Sequence, residues 1–155
     1  MLGMLLLGSL ILMSGCSAKM VKEGDIVQVE YTGKLTDGTV FDSSVGRDPL
    51  EFTQGAGQMI AGFDKAVLGM KVGQSKTVTI PAAEAYGSPR EDLIMEVPRT
   101  QLPPGLTPAV GLKLQSSSGS IVTITQVSDN TVTIDGNHQL AGKDLVFEIK
   151  LVSIK

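Results

Sequence analysis

Only one stretch of this 155-residue chain spaces its apolar residues for a helix, and it is short. In Met59–Leu68, Ile60, Phe63 and Val67 fall at i, i+3 and i+7, and Gly69 supplies a C-terminal stop. Strand patterns fill most of the rest. Val27, Val29 and Tyr31 alternate with Gln28 and Glu30, and Lys76–Ile80 alternates as well. In Leu145–Ile154 the residues Leu145, Phe147, Ile149 and Leu151 share one face. Asp37-Gly38, inside Leu35–Thr39, marks a hairpin turn. A lone short helix needs a partner surface to bury its apolar stripe. The expected fold class is therefore α+β, an antiparallel β-sheet wrapped on one short helix.

The middle of the chain differs in composition. From Ser88 to about Gly136 it holds Pro89, Pro98, Pro103, Pro104 and Pro108, a Ser-rich turn at Ser116–Ser120, and Thr/Val/Ile strands at Ile121–Val127 and Thr131–Ile134. It holds no aromatic residue. Tyr31, Phe41, Phe52, Phe63, Tyr86 and Phe147 all lie outside it. Aromatic rings bury the most area per residue, so a chain that confines them to two flanking segments uses them together, in one core or one pocket. The middle then reads as an insertion with its own small β-rich core.

The first residues differ again. Mean hydropathy is +0.19, and Met1–Gly15 carries nearly all of that surplus, since every charged residue lies from Lys19 onward. Met1–Leu12 is an apolar run followed by Met13-Ser14-Gly15-Cys16. Small residues before a Cys resemble a bacterial lipobox, in which the Cys becomes the lipidated first residue of the mature protein. Met stands where Leu is commonest, and the leader lacks the Lys or Arg of a usual secretory signal. Residues 1–15 are expected to be a lipoprotein-type signal peptide, with lipidation at Cys16 anchoring the protein on the periplasmic side of a bacterial membrane. Two alternatives stand beside this: cleavage without lipid, and a true start at Met20, which would leave the protein cytoplasmic.

Several chemistries are excluded or unsupported. One Cys rules out a disulfide framework and a cysteine metal cluster, and one His rules out a multi-histidine site. A net charge of −3 without a basic stripe argues against nucleic acid. Gly55-Ala56-Gly57-Gln58-Met59-Ile60 begins like a dinucleotide loop, but Ile stands at the last glycine position. His138 reads as a hydrogen-bonded structural or substrate-contacting residue rather than a general base, and Glu91-Asp92 as exposed turn carboxylates.

Four segments carry a family resemblance. Val29–Ser44, with Tyr31-Thr32-Gly33 and Asp37-Gly38-Thr39-Val40-Phe41-Asp42, resembles the opening strand pair of the FKBP-type prolyl isomerases. Gly57–Gly73 resembles their helix and the turn after it, and Ala83-Glu84-Ala85-Tyr86-Gly87 the start of their flap. Asp135–Phe147, containing Gly136-Asn137-His138-Gln139-Leu140-Ala141-Gly142-Lys143, is similar to the re-entry segment of the SlyD-like subfamily, where an insert-in-flap chaperone domain replaces the flap. The likeness implies an FKBP-type domain over 20–87 plus 138–155 and an insert-in-flap domain over 88–137. The subfamily's His-rich metal-binding tail has no counterpart here, so neither a metal nor a cofactor is expected.

What the resemblance implies is an apolar aromatic cradle for a proline ring. The matching catalytic positions are Tyr31, Phe41, Asp42, Ile60, Tyr86 and Phe147, and the matching substrate-binding positions are Leu50, Met59, Phe63 and Leu140. Phe52 reads as core. Phe63 stands where the family commonly has Trp, and Leu50 where Phe is frequent. The implied function is isomerisation of X-Pro bonds in proline-containing or unfolded polypeptides by a monomer, with clients held by the insert. Leu93, Ile94, Met95, Val97, Leu102, Leu106, Val110 and Leu112 would form either the client surface or the insert's own core. A different class of function stands beside it: a catalytically weak or inactive chaperone or peptide-binding lipoprotein.

Overall fold

A computed structural model describes residues 19–155. The expected leader and Cys16 lie outside the described residues. Among the described residues, nine strands form two antiparallel sheets, and one α-helix packs on the larger.

The larger sheet is built around two long strands, β1 (Ile26–Leu35) and β9 (Leu145–Ile154), paired along their length from Val27↔Ile154 to Leu35↔Leu145. On its other edge β1 pairs twice. Its second half takes β2 (Val40–Ser43) and its first half takes β3 (Leu50–Thr53). β4 (Ser75–Ile80) closes the far side against β9. Between β1 and β2 the Leu35 N–H donates to the Thr39 carbonyl at 2.8 Å, and Gly38, at φ +89°, takes the left-handed position that Asp-Gly announces.

The alternation in the sequence becomes burial. Val27 and Val29 on β1 and Leu145, Phe147, Ile149 and Leu151 on β9 are all buried on one face. Helix α1 (Ala61–Val67) lies on that face and buries Gly62, Phe63, Ala66 and Val67. A helix of this length has no stability alone. It persists because each large apolar side chain removed from water contributes about 1.5–3 kcal/mol. Gly62 lets it approach closely, since a Cβ there would lie 2.3 Å from Cγ2 of Ile80. At its far end Gly69, at φ +77°, donates to the Val21 carbonyl at 2.9 Å, and Val21 N–H donates to Met70 at 2.9 Å. The chain thus enters the fold already tied to the helix terminus.

The helix is shorter than Met59–Leu68. Ile60 is extended, at φ −60° and ψ 143°, and acts as the N-cap, with its carbonyl accepting from Phe63 and Asp64. Spacing alone could not separate a first helical residue from a cap whose side chain lies on the same stripe.

The smaller sheet spans β5 (Ile94–Pro98), β6 (Lys113–Gln115), β7 (Ile121–Val127) and β8 (Thr131–Asp135) in the order β5-β8-β7-β6. Its buried residues are Val122, Ile124 and Val132. Of the eight apolar residues singled out above in this region none is fully buried, and Ile94, Met95 and Val110 are exposed. Among the described residues no helix is long and apolar enough to cross a membrane.

Candidate active site

Four aromatic side chains meet where β1, β2, β9 and α1 converge. Phe63 lies at the bottom, fully buried. Its ring stands edge-on to Phe147 (centroids 5.2 Å apart, planes at 82°) and to Tyr31 (5.9 Å, 85°), and Phe41 stands edge-on to Phe147 (5.7 Å, 82°). This is the arrangement the ring quadrupole favours. Phe52 backs Phe63 from β3 at 5.9 Å. Gly33 makes the crossing of rings possible. It pairs with Phe147 across the sheet, and a Cβ there would fall 2.7 Å from Phe41 and 2.9 Å from Phe147.

Above this floor opens a cleft of about 430 Å³ lined by Tyr31, Phe41, Asp42, Gly57, Gln58, Met59, Ile60, Tyr86 and Phe147. Its volume falls in the range of ordinary ligand sites. A second depression, of about 380 Å³, has walls of Glu30, Lys76, Thr77, Glu148 and Lys150 beside Tyr31 and Val45. Its charges and hydroxyls lack the enclosing rings, so the aromatic cleft is the candidate site.

One polar cluster edges the cleft. The Tyr31 hydroxyl donates to Oδ2 of Asp42 at 2.5 Å, and Arg47 Nη2 donates to Oδ1 at 2.8 Å and to the Ser43 carbonyl. The backbone of Tyr31 is gripped as well: its N–H donates to Ser44 Oγ at 2.8 Å, and its carbonyl accepts from Ser44 N–H at 2.9 Å. Asp42 therefore anchors the Tyr31 hydroxyl. Burial, then the bond to Asp42, push the Tyr31 phenol up to about 12. The Tyr31 bond, helped by Arg47, holds the Asp42 carboxyl below the usual carboxylate range.

The sign of the resulting pH dependence follows. The depressed Asp42 contributes stability that is complete above its unfolded value of about 3.9 and is lost as pH falls through its lower folded value. The raised Tyr31 contributes stability that is complete below about 10 and is lost as pH rises through about 12. In an ultraviolet phenolate titration, Asp42→Asn is expected to bring the Tyr31 ionisation down, though not fully to the ordinary value, because burial remains. An unchanged high ionisation would show that the carboxylate does not act on the phenol.

Tyr31, Phe41, Asp42, Met59, Ile60, Tyr86 and Phe147 thus meet at one cleft, with Phe63 directly beneath. Leu50 and Leu140 are half-buried against the core and do not line the cleft wall. Gln58 and Gly57, within the segment rejected above as a dinucleotide loop, do line it, and Gln58 is held by accepting from Thr53 N–H at 2.8 Å. Arg47 and Ser44 escaped the sequence reading, since nothing in a turn sequence marks which residue reaches back to a strand. Among the described residues no group of three or more His, Cys, Asp or Glu side chains gathers at a point where a metal could bind.

Comparison with known proteins shows the family. Residues 17–152 match the family model described as FKBP-type peptidyl-prolyl cis-trans isomerase. The chain is 41% identical over 133 residues to the FKBP-type peptidyl-prolyl cis-trans isomerase SlyD of Treponema pallidum, covering 84% of this chain and 76% of that one. It is 39% identical over 151 residues to the short-type peptidyl-prolyl cis-trans isomerase of Methanocaldococcus jannaschii, covering 88% and 95%. It is 34% identical over 133 residues to SlyD of Escherichia coli strain K12, covering 84% and 68%.

Proposed function

Because the chain belongs to the FKBP-type peptidyl-prolyl cis-trans isomerases and is itself such an isomerase, we propose that the X-Pro bond turns in the aromatic cleft and that the smaller sheet holds the client. The edge-to-face packing of Tyr31, Phe41, Phe63 and Phe147 around one cleft carries the first half of this reading.

The barrier to X-Pro rotation is amide resonance, about 18–20 kcal/mol. It calls for no nucleophile. In the twisted transition state the C–N bond loses its double-bond character and the carbonyl becomes less dipolar. A dry apolar wall disfavours the polar planar amide more than the twisted one, which is stronger binding of the transition state. Phe63 excludes water from below, and Phe41 and Phe147 enclose the prolyl ring. Tyr31 is held in its wall position by Asp42. The N–H of Ile60, the extended cap of α1, donates to one substrate carbonyl, while the Tyr86 hydroxyl donates to another.

The exposed Ile94 and Met95 of β5 and the exposed Val110 and Ile121 support the second half. Such a surface retains an unfolded segment and raises its effective concentration at the cleft. The test is a proline-limited refolding assay with the chain from Lys19. Acceleration of the slow phase is expected. No acceleration, with aggregation still suppressed, would instead identify a non-catalytic chaperone.

The protein is proposed to act as a monomer, lipid-anchored at Cys16 on the periplasmic side of the membrane. The apolar run ending at Gly15-Cys16 supports this, as does a fold that takes hold of the chain at Met20–Val21, through a bridge to Lys71 and a bond to Met70. Fatty-acid labelling is expected in the full chain and absent in Cys16→Ala. Persistent label in the variant would place the lipid elsewhere.

A further inference from the structure

Tyr86 is the one aromatic residue of the cleft that stands outside the four-ring cluster. It is 41% exposed, and the backbone around it is tight, with Ala85 at φ −110°, ψ −109° and Gly87 at φ +75°. Its ring nevertheless has one face covered. The imidazole of His138 lies against it with centroids 3.9 Å apart and planes 5° from parallel.

His138 is itself held firmly. Its Nδ1 accepts from Leu140 N–H at 3.2 Å, which restrains the ring's rotation. Its carbonyl accepts from Ala141 N–H at 2.9 Å. The residue before it, Asn137, clasps the incoming linker: its Oδ1 accepts from Arg90 N–H at 2.8 Å and its Nδ2 donates to the Arg90 carbonyl at 2.9 Å. Tyr86 and His138 therefore sit on the two linkers that join the sheets, and the stack bridges those linkers.

We infer that His138 is a positioning residue for the isomerase reaction: its stacked imidazole holds the Tyr86 ring in the cleft wall and so sets the affinity of the prolyl site. This rests on the reading above that Tyr86 binds substrate. An exposed tyrosine without a plate beside it samples several rotamers, and only a fraction of molecules would then present its hydroxyl to the substrate. A carbonyl bonded by that hydroxyl outside the twisting amide is held equally in the ground and transition states, so the loss falls on KM rather than kcat.

Three substitutions separate the stack from the turn. His138→Asn keeps a side-chain acceptor for Leu140 N–H but removes the plate, His138→Phe keeps a plate but removes the acceptor, and His138→Ala removes both. With a proline tetrapeptide, His138→Asn and His138→Ala are expected to raise KM about two- to tenfold, the range one aromatic pair carries, with kcat little changed. His138→Phe should return KM toward the starting value. In a Tyr86→Leu background His138→Ala should add nothing. The chain has no Trp and only two Tyr, so its tyrosine fluorescence should also change with His138→Asn. If His138→Phe is as impaired as His138→Asn, or His138→Asn is unimpaired, or the Tyr86 and His138 losses add, the inference is overturned while the site reading survives. If Tyr86→Leu leaves KM and kcat unchanged, the role given to Tyr86 fails, and the inference fails with it.

Discussion

Replacing Phe63 with alanine is expected to remove about 3–5 kcal/mol of stability, the cost of emptying a ring-sized volume in a packed core. The ring is fully buried and touches Tyr31, Phe52 and Phe147. It also belongs to a helix of seven residues whose place on the sheet depends on its buried face. Total stability for a domain of this size is about 5–15 kcal/mol, so the variant should sit near its threshold at 37 °C. Urea unfolding should show a lower midpoint with little change in slope. Where the variant remains folded, its isomerase activity should fall too, because the floor of the cleft has become a void that admits water. A loss below about 1 kcal/mol would mean that the cluster closes over the gap.

Deleting Pro89–Asn137 and joining the ends with a short loop is expected to split the two activities. The linkers already touch: Gly142 N–H donates to the Gly87 carbonyl at 2.7 Å, and Tyr86 stacks on His138. A short bridge therefore spans the gap without straining the cleft. Activity on a proline tetrapeptide should be retained. Acceleration of proline-limited refolding should drop about a hundredfold, at the lower end of what tethering two binding steps supplies. Equal loss on both substrates would refute the division of labour between the sheets.

Much of this architecture is legible in the chain because it depends on near neighbours. Alternation along Leu145–Ile154, the Asp37-Gly38 turn and the Gly69 stop each need only a few consecutive residues to act, and each stands where the pattern puts it. The confinement of aromatic residues to two segments was informative for another reason: few rings leave few ways to build a large core. Contacts decided by the closed fold were not legible. Asp42 meets the Tyr31 hydroxyl through the pairing of β2 with β1. Gly33 is required by two rings that arrive from β2 and β9. The core of the smaller sheet came from Val122, Ile124 and Val132, β-branched residues spaced along short strands, rather than from the leucines and methionines around them. Leu50 and Leu140, which the resemblance places among the substrate-binding positions, are half-buried against the core.

The pairing of β1 with β9 also bears on how quickly the protein reaches its native state. Val27 meets Ile154 and Leu35 meets Leu145, so the central ladder of the larger sheet joins residues from opposite ends of the described chain. In the smaller sheet β7 and β8 pair close in sequence, as at Val127 with Val132, and the longest-range pair, Ile94 with Asp135, still spans far less chain than Val27 with Ile154. Non-local ladders form late because a long loop must close before any bond rewards it. The smaller sheet can form first and bring its two linkers together, which shortens the loop that β9 must close. In pulse-labelled hydrogen exchange, amides of β7 and β8 should gain protection before those of β9. A prolyl isomerase is thus expected to have a slow folding step of its own, shortened by its smaller sheet.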